Sequence, residues 1–265
     1  MTEQSVTVNG TTLHYRLEGD PSHPLVLLSN SLASNLTMWV RQVPALLAAG
    51  FRVLRYDTRG HGRSAVPPGP YTLPQLATDV LGLLDALGLE KVHFCGLSLG
   101  GMTGQMFATH YGNRLRSLSL CATAAYMGPP ELWAGRIKAV EQGGMAVVAE
   151  PTISRWFTAR CQRTESAAIA EMRAAILATV PAGYAACAGA IRDMDQRETI
   201  SAIRVPTLVM VGALDPGTTV DAAKLMYERI PGAELLIIPE SQHLFNVEMP
   251  AQFNTGLLAF LSRHR

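Results

Sequence analysis

The sequence predicts an α/β fold: a mostly parallel central sheet flanked by helices, with a helical cap inserted between its two halves. Three observations carry this. Apolar, strand-like runs alternate with helix-like stretches toward both ends of the chain, the pattern of parallel strands joined by crossover helices. One of these runs, Val92-His93-Phe94-Cys95, ends in Gly96-Leu97-Ser98-Leu99-Gly100 and passes directly into a helix-like stretch. From about Ala124 to Arg192 the alternation stops, and the chain turns rich in Ala, Met, Glu and Arg with no convincing strand.

The elements follow in order. Ser5–Val8 and Leu13–Leu17 flank Asn9-Gly10, a turn pair that tolerates two successive positive φ angles and so predicts a hairpin. Pro24–Ser29 is a continuous apolar run, as expected of a strand buried on both faces. Phe51–Tyr56 predicts another strand, followed by the glycine-rich turn Asp57-Thr58-Arg59-Gly60-His61-Gly62-Arg63-Ser64. Leu73–Leu87 has helical apolar spacing and stops at Gly88. Val92–Cys95 and Leu115–Cys121 are strands; strands resume at Val205–Val211 and Ala233–Pro239, and Ala251–Ser262 closes the chain as a helix. The predicted division is a core of residues 1–123 and 193–265 with a cap of residues 124–192.

Bulk composition narrows the function. A chain of 265 residues, 48% hydrophobic, is long and apolar enough for one large α/β unit. With 22 basic and 21 acidic residues and no charge run, neither nucleic acid nor a membrane is an expected partner. Met1-Thr2-Glu3-Gln4-Ser5 lacks a basic region leading into an apolar run, so a cytoplasmic protein without leader or membrane span is expected. Cys95, Cys121, Cys161 and Cys187 are widely spaced, which predicts reduced thiols and no metal site.

The chemistry starts at Ser98. In Gly-x-Ser-x-Gly between a strand and a helix, the turn is so tight that the serine is strained and its neighbours must be glycine. The hydroxyl then stands above the sheet edge beside the first N–H groups of a helix, where an oxyanion can be held. A serine hydroxyl needs a base. His243 follows the predicted strand Ala233–Pro239, and Asp215 follows Val205–Val211. The order Ser98, Asp215, His243 at strand ends predicts a catalytic triad: nucleophile, orienting acid and general base. Read alone, Asp215 before Pro216-Gly217 also fits the start of a turn, and a lone histidine is more often packed than catalytic. The other histidines read as structural, His61 in its glycine-rich turn among them. The oxyanion donors are expected to be the N–H groups of Leu99 and, from the loop Asn30-Ser31-Leu32-Ala33-Ser34, Leu32.

Over essentially its whole length the chain resembles the α/β-hydrolase superfamily. The resemblance rests on the Asp57–Ser64 turn, Gly96-Leu97-Ser98-Leu99-Gly100-Gly101, Gly212-Ala213-Leu214-Asp215, and His243 followed by Glu248-Met249-Pro250. Within it the chain is most similar to the 3-oxoadipate enol-lactonases of the β-ketoadipate route. The points of similarity are Leu28-Ser29-Asn30-Ser31-Leu32, where most relatives carry His-Gly, and the segments Arg155-Trp156-Phe157 and Gly183–Asp193. Gln242 departs from the superfamily, where glycine often precedes the histidine, and is expected to tune its loop. The resemblance implies hydrolysis of a small lactone that carries a carboxylate, with no cofactor and no metal. A lid over such a substrate should present cations or N–H donors. Arg136, Lys138, Arg155 and Arg160 are available in the cap, and Trp133 is placed either to wall a pocket or to pack in the core. The same triad also serves capped carboxylesterases, hydrolases of carbon–carbon bonds and cofactor-free perhydrolases. A non-catalytic binding protein is disfavoured, because all three triad residues are present.

Overall fold

The computed structural model describes residues 4–265; Met1–Glu3, part of the segment read as lacking a leader, lie outside the described residues. Eight strands form one sheet: β1 (Gln4–Val8), β2 (Thr11–Glu18), β3 (Leu25–Ser29), β4 (Arg52–Tyr56), β5 (Val92–Leu97), β6 (Leu115–Cys121), β7 (Thr207–Gly212) and β8 (Glu234–Ile238). They lie side by side in the order β1-β2-β4-β3-β5-β6-β7-β8. Only the β1–β2 and β2–β4 pairs are antiparallel. Asn9 and Gly10 both take positive φ at the first hairpin, as their pairing requires.

The central strands are continuous apolar runs because both of their faces are covered. Val26, Leu28, Cys95, Leu97 and Cys121 belong to one buried cluster, while Leu27, Phe94, Leu118 and Leu120 belong to the other. Successive residues of one strand thus feed opposite layers, the period of two that a strand imposes. The first layer includes residues of α1 (Val43–Ala48) and α11 (Pro250–Ser262); the second includes residues of α2 (Leu73–Ala86) and α9 (Val220–Arg229). α3 (Leu99–Tyr111) contributes to both. Each fully buried leucine of these runs is worth about 2 kcal/mol of apolar transfer.

Boundaries shift where a proline or a cap decides them. β7 begins only at Thr207, after Pro206, which has no N–H to give to the ladder. α11 begins at Pro250, a first-turn position at which the missing donor costs nothing. α1 and α9 are not singled out by periodicity. The first is six residues long; only Ala223 and Met226 of the second are buried.

Between β6 and β7 the chain forms α4 (Pro130–Gly143), α5 (Ala146–Trp156), α6 (Ala159–Thr164), α7 (Ser166–Ala178) and α8 (Pro181–Arg192). An isolated antiparallel bridge, Tyr126 to Asp195, ties the two ends of this stretch together. Among the described residues no single helix is long and apolar enough to cross a membrane, although α7 and α8 pass that test jointly across a 94° bend. All four cysteines are free and buried. No cluster of three His, Cys, Asp or Glu side chains suited to a metal occurs among the described residues.

Candidate active site

Four loops at the carboxyl ends of parallel strands, in three groups, meet over one pocket. The first is the turn from β5 into α3. Ser98 sits there at φ 57, ψ −114, a backbone state that costs a non-glycine residue about 1–3 kcal/mol. The surrounding structure enforces it. The Ser98 N–H donates to Cys121 O at 2.9 Å, and Ser98 O accepts from Met102 N–H and from the Thr123 hydroxyl at 2.8 Å. A Cβ at Gly96 would overlap the Gly100 carbonyl, and one at Gly100 would overlap the Ser29 carbonyl. One at Gly101 would lie 2.6 Å from Thr123 Cβ. Glycines are therefore needed for strand and helix to approach this closely.

The second loop follows β3. Asn30 anchors it: its amide donates to Tyr56 O at 2.7 Å, its side-chain carbonyl accepts the Trp39 indole N–H at 2.9 Å, and its backbone carbonyl accepts Gly100 N–H. The sequence feature that departs from His-Gly is thus a three-way tether, one arm of which reaches the serine turn. Ser31 N–H faces Met38 Sδ at 3.4 Å, and Ala33 N–H donates to His61 Nε2 at 3.0 Å. Among the described residues, no protein acceptor takes the N–H of Leu32 or of Leu99. Leu32 lines the pocket. Leu99, the first residue of α3, is buried and adds nothing to the wall.

The third group is Asp215 and His243. Asp215 Oδ2 lies 2.7 Å from His243 Nδ1. The same oxygen accepts the Thr218 hydroxyl at 2.6 Å, while Oδ1 accepts the N–H groups of Gly217 and Thr218 at 2.9 and 3.1 Å. Asp215 therefore starts a turn with one oxygen and meets the histidine with the other, so the two sequence readings of this residue describe one arrangement. Burial pushes the Asp215 carboxyl up, but the His243 charge and the hydrogen bonds from His243, Thr218 and Gly217 outweigh it and hold the group below its ordinary 3.8. A proton on His243 Nδ1 leaves Nε2 bare to act as a base. No hydrogen bond joins Ser98 Oγ to His243 among the described residues, although both line the same pocket; such bonds often close only around a substrate.

The histidine loop reaches this position because Gly212 lacks a side chain: a Cβ there would overlap the carbonyls of Ser241 and Gln242. Glu248 latches the loop from outside. Its Oε2 accepts Gln242 N–H at 2.8 Å, and its Oε1 accepts both the N–H and the hydroxyl of Thr158, at 3.1 and 2.5 Å.

The cap completes the walls of a narrow cavity of about 90 Å³ with Met127, Trp133, Arg136, Thr152, Arg155, Trp156, Tyr184 and Ile191. Trp133 both walls the cavity and packs: it is 6% exposed and its indole donates to Met127 O at 2.9 Å. Arg136 stacks on it, 4.7 Å from the ring centre. Arg155 donates to Thr152 Oγ1 at 3.1 Å. Burial, and then repulsion from Arg136, hold the Arg155 guanidinium below its usual range, against a smaller opposing pull from Tyr184. Among the described residues no carboxylate pairs with Arg136 or Arg155. The other two cap cations lie outside: Lys138 is exposed, and Arg160 pairs with Glu240 on the surface at 3.5 Å. Thr218, Thr152 and Tyr184 are the polar wall residues to which sequence reasoning assigned no role. For Thr218 a signal existed in its place three residues after an aspartate, where a hydroxyl can close an Asx-type turn.

Comparison with known proteins is consistent with this architecture. A family model described as alpha/beta hydrolase fold matches residues 24–250. A 3-oxoadipate enol-lactonase of Acinetobacter baylyi is 36% identical over 98% of this chain and 97% of its own length. The crystal structure of an enol-lactonase from Burkholderia xenovorans LB400 superposes with a TM-score of 0.96 at 41% identity, covering 98% of this chain and all of that one. A putative carbamate hydrolase (RutD) of a Caulobacter species is 32% identical, with 98% of each chain covered.

Proposed function

The chain belongs to the α/β-hydrolase family, and on that premise we propose that it is a serine-dependent lactone hydrolase acting on 3-oxoadipate enol-lactone. Two enol-lactonase relatives at 36–37% identity support the reaction class. The observation that carries the substrate is the pocket's charge. Two guanidinium groups, Arg136 and Arg155, line the cavity that holds Ser98 and His243, and no carboxylate among the described residues neutralises them. A small acid with its ester bond a few bonds from its carboxylate fits such a space.

In this reading Ser98 Oγ attacks the lactone carbonyl and gives its proton to His243 Nε2. Asp215 holds the imidazole with Nδ1–H toward Oδ2 and stabilises the imidazolium. The N–H groups of Leu32 and Leu99 receive the tetrahedral oxyanion. When the ring C–O bond breaks, the leaving enolate takes the proton from His243 and tautomerises to the ketone while still attached through the acyl group. Water, losing a proton to His243, then attacks the acyl-enzyme, and collapse returns the proton to Ser98 and frees 3-oxoadipate. No step needs a metal or cofactor. Residues 124–192 act as the lid that selects the substrate.

A second reading has a specific observation behind it, the 32% identity to putative carbamate hydrolases. One assay separates the two. Loss of ultraviolet absorbance from fresh enol-lactone is followed beside 4-nitrophenyl acetate and a small carbamate. A kcat/KM above roughly 10⁴ M⁻¹s⁻¹ on the lactone, and far lower on the others, is expected. Carbamate turnover with an inert lactone would move the protein to the second class; fast ester cleavage with an inert lactone would make it an esterase.

A further inference from the structure

His61 stands outside the triad and makes no part of the pocket wall. It is 2% exposed; its Nε2 meets the Ala33 N–H at 3.0 Å, and its Nδ1 faces Arg59 O at 3.4 Å and Cys187 Sγ at 3.9 Å. Only an unprotonated nitrogen can accept there, so the ring proton sits on Nδ1, toward Arg59 O at 3.4 Å. Burial favours this neutral form and pushes the imidazole down to about 4.

Ala33 is one of few non-glycine residues with a positive φ, at 61°. That conformation costs an alanine about 1 kcal/mol or more and needs an outside hold. Two groups of the 57–64 turn provide it. His61 takes the Ala33 N–H, and Asp57 Oδ1 takes the Leu36 N–H at 2.7 Å. The residue just before Ala33 is Leu32, whose N–H is left for a ligand. The other side of the same turn rests on the cap: a Cβ at Gly183 would overlap Gly60 O, and Cys187 Sγ reaches Arg59 O at 3.6 Å.

We propose that His61 is a positioning residue for the oxyanion loop: its Nε2 lone pair holds the left-handed turn at Ala33 and thereby aims the Leu32 N–H at the reacting carbonyl. The inference rests on the serine-hydrolase reading above. It predicts that removing the acceptor weakens the transition state while leaving substrate binding alone, since His61 touches no substrate.

The test compares His61→Leu, His61→Gln and His61→Asn on 4-nitrophenyl acetate and the enol-lactone. The Gln side-chain oxygen reaches the place of Nε2, whereas that of Asn reaches only the place of Nδ1. In His61→Leu kcat should fall by roughly 10²-fold, as for loss of one oxyanion donor, with KM within about threefold of wild type. His61→Gln should recover most of that rate and His61→Asn should not. A merely structural histidine would instead lower the thermal midpoint and leave kcat of the folded fraction unchanged. If His61→Leu does not fold, the Gln and Asn variants decide alone. Equal rates in those two, or a loss confined to KM, would overturn the proposal. Ser98→Ala is run alongside. Hydrolysis that persists in Ser98→Ala overturns the serine reading itself, whereas a Ser98-dependent rate indifferent to His61 overturns only the positioning role.

Discussion

Replacing Arg155 by methionine should separate recognition of the carboxylate from the chemistry. The guanidinium is partly buried, lines the cavity with Arg136, and is repelled by it. Methionine keeps most of the length and apolar volume while deleting the charge. A carboxylate about 4 Å from a guanidinium gains roughly 4 kcal/mol at the effective dielectric of a protein surface. Part of this is lost in stripping water from the carboxylate, which leaves about 1.5–3 kcal/mol for a charged hydrogen bond. At about 1.4 kcal/mol per decade that is a 10- to 100-fold loss in kcat/KM. The assay pairs the enol-lactone with the same lactone whose side-chain carboxylate is methylated. The acid should lose the predicted factor, and the methyl ester should change by less than about threefold. Equal losses on both substrates would mean that Arg155 shapes the pocket rather than reads the charge. No loss on either would remove the anion-binding argument altogether.

The remaining predictions concern the reactive groups and the strand–helix turn. Ser98→Ala should abolish turnover, by at least about 10⁴-fold, with an unchanged circular dichroism spectrum; retained hydrolysis in clean protein would exclude this serine as nucleophile. Asp215→Asn should cost on the order of 10³–10⁴ in kcat. It keeps one acceptor oxygen for Gly217 and Thr218 but faces His243 Nδ1 with an N–H, so the wrong tautomer is favoured; unaffected kinetics would place the acid elsewhere. Gly100→Ala should lower the free energy of unfolding by about 2–3 kcal/mol in urea titrations, because its Cβ would overlap the Ser29 carbonyl and push β3 from α3; an unchanged midpoint would contradict the close approach. Acid should destabilise the fold through His61 and His93, both pushed down to about 4 from 6.5 chiefly by burial. The unfolded chain binds these protons first, so their contribution is complete above about pH 6.5 and is lost as pH falls toward 4, by up to roughly 3 kcal/mol for each. Unfolding midpoints in urea that are flat across that interval would refute this.

The sheet is legible in the sequence because its central strands are buried on both faces. Pro24–Ser29 and Val205–Val211 have no polar alternation to blur them, and each ends within two residues of the observed strand. The serine turn is legible for a steric reason: Gly96, Gly100 and Gly101 are the residues whose side chains would collide. The cap is legible only as helix. Arg136 and Lys138 are two positions apart on α4, so one helix face cannot present both, yet local sequence does not say which one meets the pocket. That choice is made by the packing of Trp133 and Val140 inward from α4, and it depends on residues far along the chain. The sequence reads His61 as structural, but its contact with Ala33 is illegible for the same reason, since Ala33 lies in another loop, 28 residues earlier.

These long-range contacts share a direction. Trp156 of the cap walls the pocket and accepts Leu244 N–H at 3.0 Å, next to His243. Thr158, two residues on, meets Glu248, whose other oxygen holds Gln242. On the opposite side α8 carries Tyr184 into the pocket while Gly183 and Cys187 press on the turn that bears His61. The segment between β6 and β7 is thus hydrogen-bonded to the loop of His243 and packed on the turn that carries His61. Residues at the ends of β3 and β6 hold the Ser98 turn, whereas the loop of His243 and the turn of His61 are also braced by the cap. A cap exchanged for that of a relative would therefore be expected to change kcat as well as substrate preference, because the loop of His243 and the turn of His61 would lose the surfaces they are set against.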